Sequence, residues 1–401
     1  MVFVCRLNLK QVVCLSASGE LERDLVLGRS AASPNTVTFD GGPLIAFPGL
    51  VNSHDHLEFN AYTTLGRPPY QDAQQWGLDI HARASARVEA IEAIPKKARL
   101  QWGLLKNLLS GVTAVVDHSK TPCPPDTSNA LRVVTAYRYI HSPAMRGAGR
   151  RVLGPSSGRP VVVHIGEGIT ENTARQARRL LRFNIFRNPI IGIHGIALSP
   201  DDAGRLRALV WCPVSNLHLF GRTADVEVLQ HRTTILFGSD SSLSAPGSIW
   251  DHLRCARDLG VVSDAQLFAM VTDRAREIWQ LPSSDPLADA AAGDIVVARR
   301  RQKDPWESFF ALCPDDILLV IARGVPVLVD DRLWQPLQGC LAGSRMVRIG
   351  LTNSVKHVTL NPPDLIPTLW HTPAKAALEE FGIDFGQGDI DQGVSALAAR
   401  P

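Results

Sequence analysis

A chain of 401 residues, 45% hydrophobic and 20% charged, is long enough for one large α/β domain and a smaller one, with the composition of a globular enzyme. The formal net charge of only +3 predicts neither a nucleic-acid nor a membrane partner. Seven cysteines occur without a Cys-x-x-Cys pair, which predicts reduced thiols and a cytoplasmic setting. The N-terminal stretch is broken by Arg6, Lys10 and Gln11 and lacks the apolar region of a signal peptide. No run of roughly 18 apolar residues marks a membrane span.

In chain order, residues 1–47 read as short strands (Val2-Phe3-Val4, 11–15 and 36–39) separated by turns such as Ser33-Pro34-Asn35. A second β-rich texture returns at 294–298, 317–321 and 325–329. Because chain ends commonly meet on one side of a domain, the flanks 1–47 and 290–360 predict one composite β domain. Between them, residues 48–289 alternate apolar runs with helical stretches at 90–109, 171–181 and 201–208, the rhythm of a (β/α) barrel. The runs at 44–52, 112–116, 131–140, 161–163, 190–193, 209–212 and 234–237 amount to seven barrel strands. The segment 142–160 is too short for a further helix and strand, so an abbreviated or absent eighth strand is expected there. Residues 361–401 read as a helix at 374–381, with Thr372-Pro373 at its start, plus a tail.

The apolar runs end alike. The first leads into His54-Asp55-His56, whose two imidazoles, two positions apart, reach one point if the strand continues; such a pair suits a divalent metal such as zinc. The others end at Asp117-His118, His141, His164-Ile165-Gly166-Glu167, His194-Gly195 and Gly238-Ser239-Asp240. Six of the twelve histidines thus follow predicted strands directly. In a parallel barrel those strand ends open on one face, where catalytic residues gather.

This constellation resembles the amidohydrolase superfamily of metal-dependent hydrolases, and within it the mononuclear branch of cytosine and guanine deaminases and triazine hydrolases. The matching motifs are Pro48-Gly49-Leu50-Val51-Asn52-Ser53-His54-Asp55-His56, His164-Ile165-Gly166-Glu167 and Gly192-Ile193-His194-Gly195. Cys212-Pro213-Val214-Ser215-Asn216-Leu217 and Gly238-Ser239-Asp240-Ser241 follow in order. The resemblance implies a (β/α)8-type TIM barrel with a small β-sandwich domain built from both chain ends. It implies that His54, His56, His164 and Asp240 ligate one divalent ion, zinc or ferrous iron, and that Glu167, His194 and Asp240 are catalytic. Asp240 would accept the proton of a metal-activated water, His194 would steady developing oxygen charge, and Glu167 would protonate a ring nitrogen or departing amine. No lysine stands at a strand end where a bridging carbamate would form, and Lys120 lies beyond its strand, so one metal is expected rather than two.

His118 and His141 have no ligand role in the resemblance; either substrate contact or support of the ligands is open to them. The long connection 57–81 offers Trp76 and His81 as pocket residues, with anchoring of the loop the competing reading of Trp76. Asn216 reads as a turn residue near the site. The expected activity is cleavage of a non-peptide C–N bond, by deamination of a cyclic amidine or nucleobase-like small molecule. The alternatives are an amide, lactam or C–halogen hydrolase of the same fold and a non-catalytic metal-binding barrel. Pro122-Cys123-Pro124-Pro125-Asp126 lacks the second cysteine of a nucleic-acid-editing deaminase. A homodimer is the expected assembly.

Overall fold

A computed structural model describes residues 6–17, 19–28, 36–119, 123, 130–145, 147–154, 158–284, 293–341, 346–359 and 364–386. The expected strand Val2-Phe3-Val4, the turn Ser33-Pro34-Asn35, Lys120 and the tail from 387 lie outside the described residues. The chain opens with β1 (Arg6–Ser16), β2 (Gly19–Leu27), β3 (Thr36–Phe39) and β4 (Leu44–Pro48). Eight strands follow: β5 (Leu50–Asp55), β6 (Val112–Asp117), β7 (Arg132–Val134), β8 (Arg138–Ile140), β9 (Val161–Ile165), β10 (Ile190–His194), β11 (Ala208–Trp211) and β12 (Thr234–Phe237). The last five are β13 (Ile295–Arg299), β14 (Ile317–Ala322), β15 (Val325–Asp330), β16 (Val347–Leu351) and β17 (Ser354–Val358).

Both chain ends enter one nine-stranded sheet of order β16-β17-β15-β14-β13-β4-β1-β2, with β3 also on β1. β4 makes the junction, parallel to β1 and antiparallel to β13. Its side chains alternate between two cores: Ile45 and Phe47 face the large central core, while Leu44 and Ala46 pack on Leu7, Leu9, Val12 and Ile295. Strand geometry sends successive side chains to opposite faces. Burial of both faces is therefore why the flanks read as continuous apolar runs rather than as alternation.

The central strands form two parallel sheets in sequence order, β5-β6-β7 and β8-β9-β10-β11-β12. A parallel bridge between Asp55 and Asp240, with Asp240 N donating to His54 O at 3.1 Å, brings the chain beyond β12 beside the first of these strands. The count is eight, not the expected seven. The run at 131–140 divides around a tight turn in which Tyr137 N donates to Thr135 O, leaving β7 on β6 and β8 on β9. Three-residue strands are too short to show a period, so the apolar run looked like one element. In 142–160, where the shortage was expected, the described residues hold the helix Ala148–Leu153.

The helical stretch at 90–109 is two helices, Ser85–Glu92 and Lys96–Leu109, parted at Pro95. In the second, every residue from Arg99 to Leu109 is buried. Gly103 permits this: a Cβ there would stand 2.3 Å from Leu57 O. The helix therefore packs directly on the turn that follows His56. The helix at 171–181 spans Glu171–Phe183, capped by Thr170; that at 201–208 is only Pro200–Ala203. The C-terminal helix is Lys375–Phe381, and Leu365–Trp370 adds one the sequence reading lacked.

Among the described residues, no helix is long and apolar enough to cross a membrane. Cys212, Cys255 and Cys313 are free thiols. Cys340 is disulfide-bonded, which corrects the expectation that all thiols are reduced; cysteine count and spacing do not say which thiols a fold brings together.

Candidate metal centre

The histidine-bearing strand ends converge. His54 is fully buried on β5; His56 lies just past its end, and their rings are 4.9 Å apart. Asp55 between them points elsewhere, as strand alternation requires, and accepts from Asn60 and Asn107, each at 2.8 Å. β9 supplies His164, whose Nε2 lies 3.2 Å from His56 Nε2. The turn after β12 supplies Asp240, whose Oδ1 is 3.6 Å from His54 Nε2 and 3.9 Å from His56 Nε2.

Neighbouring groups aim these atoms. His164 Nδ1 lies 2.8 Å from His141 O; a carbonyl only accepts, so Nδ1 carries the proton and Nε2 presents its lone pair to the cluster. Ser215 and Ser244 donate to Asp240 Oδ2 at 2.7 and 2.9 Å, leaving Oδ1 toward the histidines. Asn52 holds the same loop, accepting from Ser239 N at 3.1 Å and donating to Ser239 Oγ at 2.8 Å. Asp240 and His194 adopt left-handed backbone, φ 59° and 73°, a region that aspartate and histidine enter more readily than most residues with a Cβ.

Electrostatics match. Burial lowers the pKa of His54, of His56 to about 3, and of His164 well below the ordinary range, so these imidazoles are neutral lone-pair donors. Burial works to raise Asp240, but the His54, His194 and His56 rings outweigh it and hold the carboxylate ionised. Both ring nitrogens of buried His54 lack a hydrogen-bond partner. An unsatisfied buried imidazole is costly, and a cation shared with His56, His164 and Asp240 would satisfy Nε2, the nitrogen that faces Asp240. Three imidazoles and one carboxylate are a donor set for a divalent transition ion.

Glu167 and His194 stand beside this set. Glu167 Oε1 is 3.5 Å from His194 Nε2, and burial pushes the Glu167 carboxyl up to about 7 against the pull of His194. His194 Nδ1 is 2.9 Å from Asn216 Oδ1. His118 stands within the cluster, its ring 4.5 Å from His164, 5.4 Å from His54 and 5.8 Å from His56, and the His141 ring is 5.1 Å from His164, so that His118, His141 and His164 also offer converging nitrogens to a cation. His118 is buried, with neither ring nitrogen hydrogen-bonded, and lies 4.6 Å from the Tyr139 ring. His141 supports His164 through its backbone carbonyl rather than its ring.

Of the two expected pocket residues in the connection, Trp76 takes the anchoring role that was its alternative, and His81 is placed away from the pocket. Trp76 donates Nε1 to Leu65 O at 3.0 Å and packs with Tyr70, Leu219 and Phe220, which anchors the loop. His81 is exposed on the helix Ala73–Arg83, whose turn alone decides which side chains face inward. The connection still reaches the site through its backbone: Ala73 N donates to Glu167 O at 3.3 Å, and Asp72 bridges Gly168. A Cβ at Gly168 would lie 2.7 Å from Gln71 O. Sequence reasoning missed Ser215, Ser244 and Asn52, and took Asn216 for a turn residue; the Cys-Pro-Val-Ser-Asn motif was the available signal for Ser215 and Asn216.

No protein-family model and no curated protein sequence matches the chain. Solved structures do. A zinc-bound adenosine deaminase from Xanthomonas campestris has a TM-score of 0.62 at 16% identity, covering 81% of this chain and 93% of its own. A guanine deaminase from C. acetobutylicum with bound guanine has 0.57 at 16%, covering 80% and 99%. A zinc-complexed atrazine chlorohydrolase from Arthrobacter aurescens has 0.60 at 16%, covering 84% and 99%. At such identities the likeness establishes the fold alone: a mixed α/β fold with parallel sheets, shared with these deaminases and this hydrolase.

Proposed function

We propose that this protein is a metal-dependent hydrolase that cleaves a non-peptide C–N bond by deaminating a cyclic amidine or nucleobase-like small molecule. The carrying observation is the meeting of His54, His56, His164 and Asp240, with contacts of 3.2 to 3.9 Å between their facing atoms, beside the pair Glu167–His194, 3.5 Å apart, which this reading leaves off the ion. In this reading the eight central strands close as a barrel over residues 48–289, the flanks 1–47 and 290–360 form a β-sandwich domain, and 361–401 a C-terminal appendage. His54, His56, His164 and Asp240 hold the ion, which we take to be zinc, in keeping with the zinc-bound structural neighbours.

Such an ion supplies Lewis-acid activation of water near neutral pH. The chain's own residues do the rest. Asp240 Oδ1, kept ionised, is the acceptor for a proton of the attacking water. Glu167, pushed up to about 7 by burial and so divided between its two forms near neutral pH, has in its protonated form a proton at Oε1 or Oε2 to give to a ring nitrogen or the departing amine. His118, buried and without a hydrogen-bond partner, offers a ring nitrogen to a substrate polar group, with Tyr139 beside it.

The test combines metal analysis with an ammonia-release screen over nucleobases, nucleosides, pterins and aminotriazines. The expected result is about one zinc equivalent per chain and ammonia release from one of these classes. Protein that stays metal-free after zinc loading overturns the reading. Chloride release from chlorotriazines without ammonia from any amine assigns the halide hydrolase alternative, which the atrazine chlorohydrolase neighbour favours.

A further inference from the structure

Asn216 is fully buried in the helix Pro213–Phe220, and its amide has a defined direction. Nδ2 faces two oxygens, Thr223 Oγ1 at 3.2 Å and His194 O at 3.4 Å. Oδ1 therefore faces His194 Nδ1, at 2.9 Å. An amide oxygen has no proton to give, so the proton of this bond belongs to His194 Nδ1. A neutral His194 then carries its lone pair on Nε2, the atom that faces Glu167 Oε1. In that tautomer it cannot donate from Nε2.

We infer that Asn216 is a positioning residue: it fixes the tautomer of His194 so that Nε2 is a proton acceptor at the reacting face. This revises the role that the resemblance implies for His194, since it can steady an oxygen by donation only after Nε2 has taken up a proton. The catalytic consequence rests on the hydrolase reading above; the tautomer itself does not.

Imidazole 15N NMR on the zinc-loaded full chain tests this, with His194→Gln identifying the resonances. The expected spectrum shows a pyrrole-type Nδ1 and a pyridine-type Nε2 for His194. Asn216→Ala should erase that pattern and lower kcat roughly 100-fold, with KM changed less than about threefold, on the amine found by ammonia release. Asn216→Asp, which still accepts from Nδ1, should keep the pattern and restore most of the rate. Thr223→Val loosens the other side of the amide and should leave both pattern and kcat within about threefold. A pyrrole-type Nε2 in the wild type overturns the inference, as does an unaltered pattern in Asn216→Ala. Equal losses of rate in Thr223→Val and Asn216→Ala reduce Asn216 to packing. Should Asn216→Ala fail to fold, the wild-type and Asn216→Asp spectra decide. The spectra need no turnover, so failure of the hydrolase reading is distinguishable from failure of this one.

Discussion

The hydroxyls of Ser215 and Ser244 offer a way to measure how far Asp240 is preorganised as a ligand. Both donate to Oδ2, at 2.7 and 2.9 Å, from buried positions. Their oxygens are 3.1 Å apart, so they act as a unit and single substitutions should not add. A hydrogen bond to a charged group contributes about 1.5–3 kcal/mol. Part of that loss in Ser215→Ala/Ser244→Ala falls on the metal-free fold, because Asp240 is buried and ionised there too. The remainder falls on binding, since Oδ1 is no longer held toward His54 and His56. Groups that orient ligands typically carry a 10–100-fold effect on metal affinity, about 1.4–2.7 kcal/mol and so within the reach of these bonds. The double variant should therefore bind zinc roughly 10–100-fold more weakly in competition with a chromogenic chelator, while each single variant loses less than half of that on a logarithmic scale. Unchanged zinc affinity together with unchanged melting of the metal-free protein would refute the role given to the serines.

Three further outcomes are expected. His164→Ala should reduce bound zinc from about one equivalent to well below half after dialysis, measured by mass spectrometry of the metal; full retention would remove His164 from the ligand set. Glu167→Gln should keep the metal and lower kcat about 10²–10⁴-fold. In metal-free protein the same variant reports on pH. The Glu167 carboxyl is raised from 4.5 to about 7 by burial, so the folded state holds a proton that the unfolded chain releases between those values. Its stabilising contribution is full below about pH 4.5 and is lost as pH rises through about 7. Glu167→Gln should accordingly melt higher than wild type at about pH 8 and no higher at about pH 4.5; the same difference at both would contradict the shift. In the flanking sheet, Lys356 Nζ is fully buried, 2.7 Å from Asp330 Oδ2 and bonded to Ile317 O at 2.7 Å. Lys356→Met removes the nearer and fully buried of that carboxylate's two cations, leaving Arg332 Nε 3.5 Å from Oδ1, and should cost about 3 kcal/mol in urea unfolding; a loss under about 1 kcal/mol would show that Arg332, through its guanidinium and its backbone N, suffices.

What was legible in the sequence, and what was not, follows from how rare the required chemistry is. A divalent ion demands imidazoles and a carboxylate, and parallel strands deliver them at their ends, so His54, His56, His164, Glu167, His194 and Asp240 could be picked out by type and position together. The groups that aim them are serines, asparagines and a backbone carbonyl, common everywhere and informative only when the fold brings them close. Ser215 is 25 residues from Asp240 and Ser244 only four, yet both meet the same oxygen. The pairing of β4 with strands from both chain ends was legible as texture, because two buried faces demand continuous apolar runs. The division of 131–140 was not, because a three-residue strand has no period. His81 failed for a related reason: a helix places its side chains by rotation, and nothing in 73–83 fixed that rotation in advance. Asn216 lies between the two cases. Its motif marked the position, but its significance depends on which amide atom faces His194 Nδ1, and only the His194 carbonyl, which accepts and cannot donate, decides that.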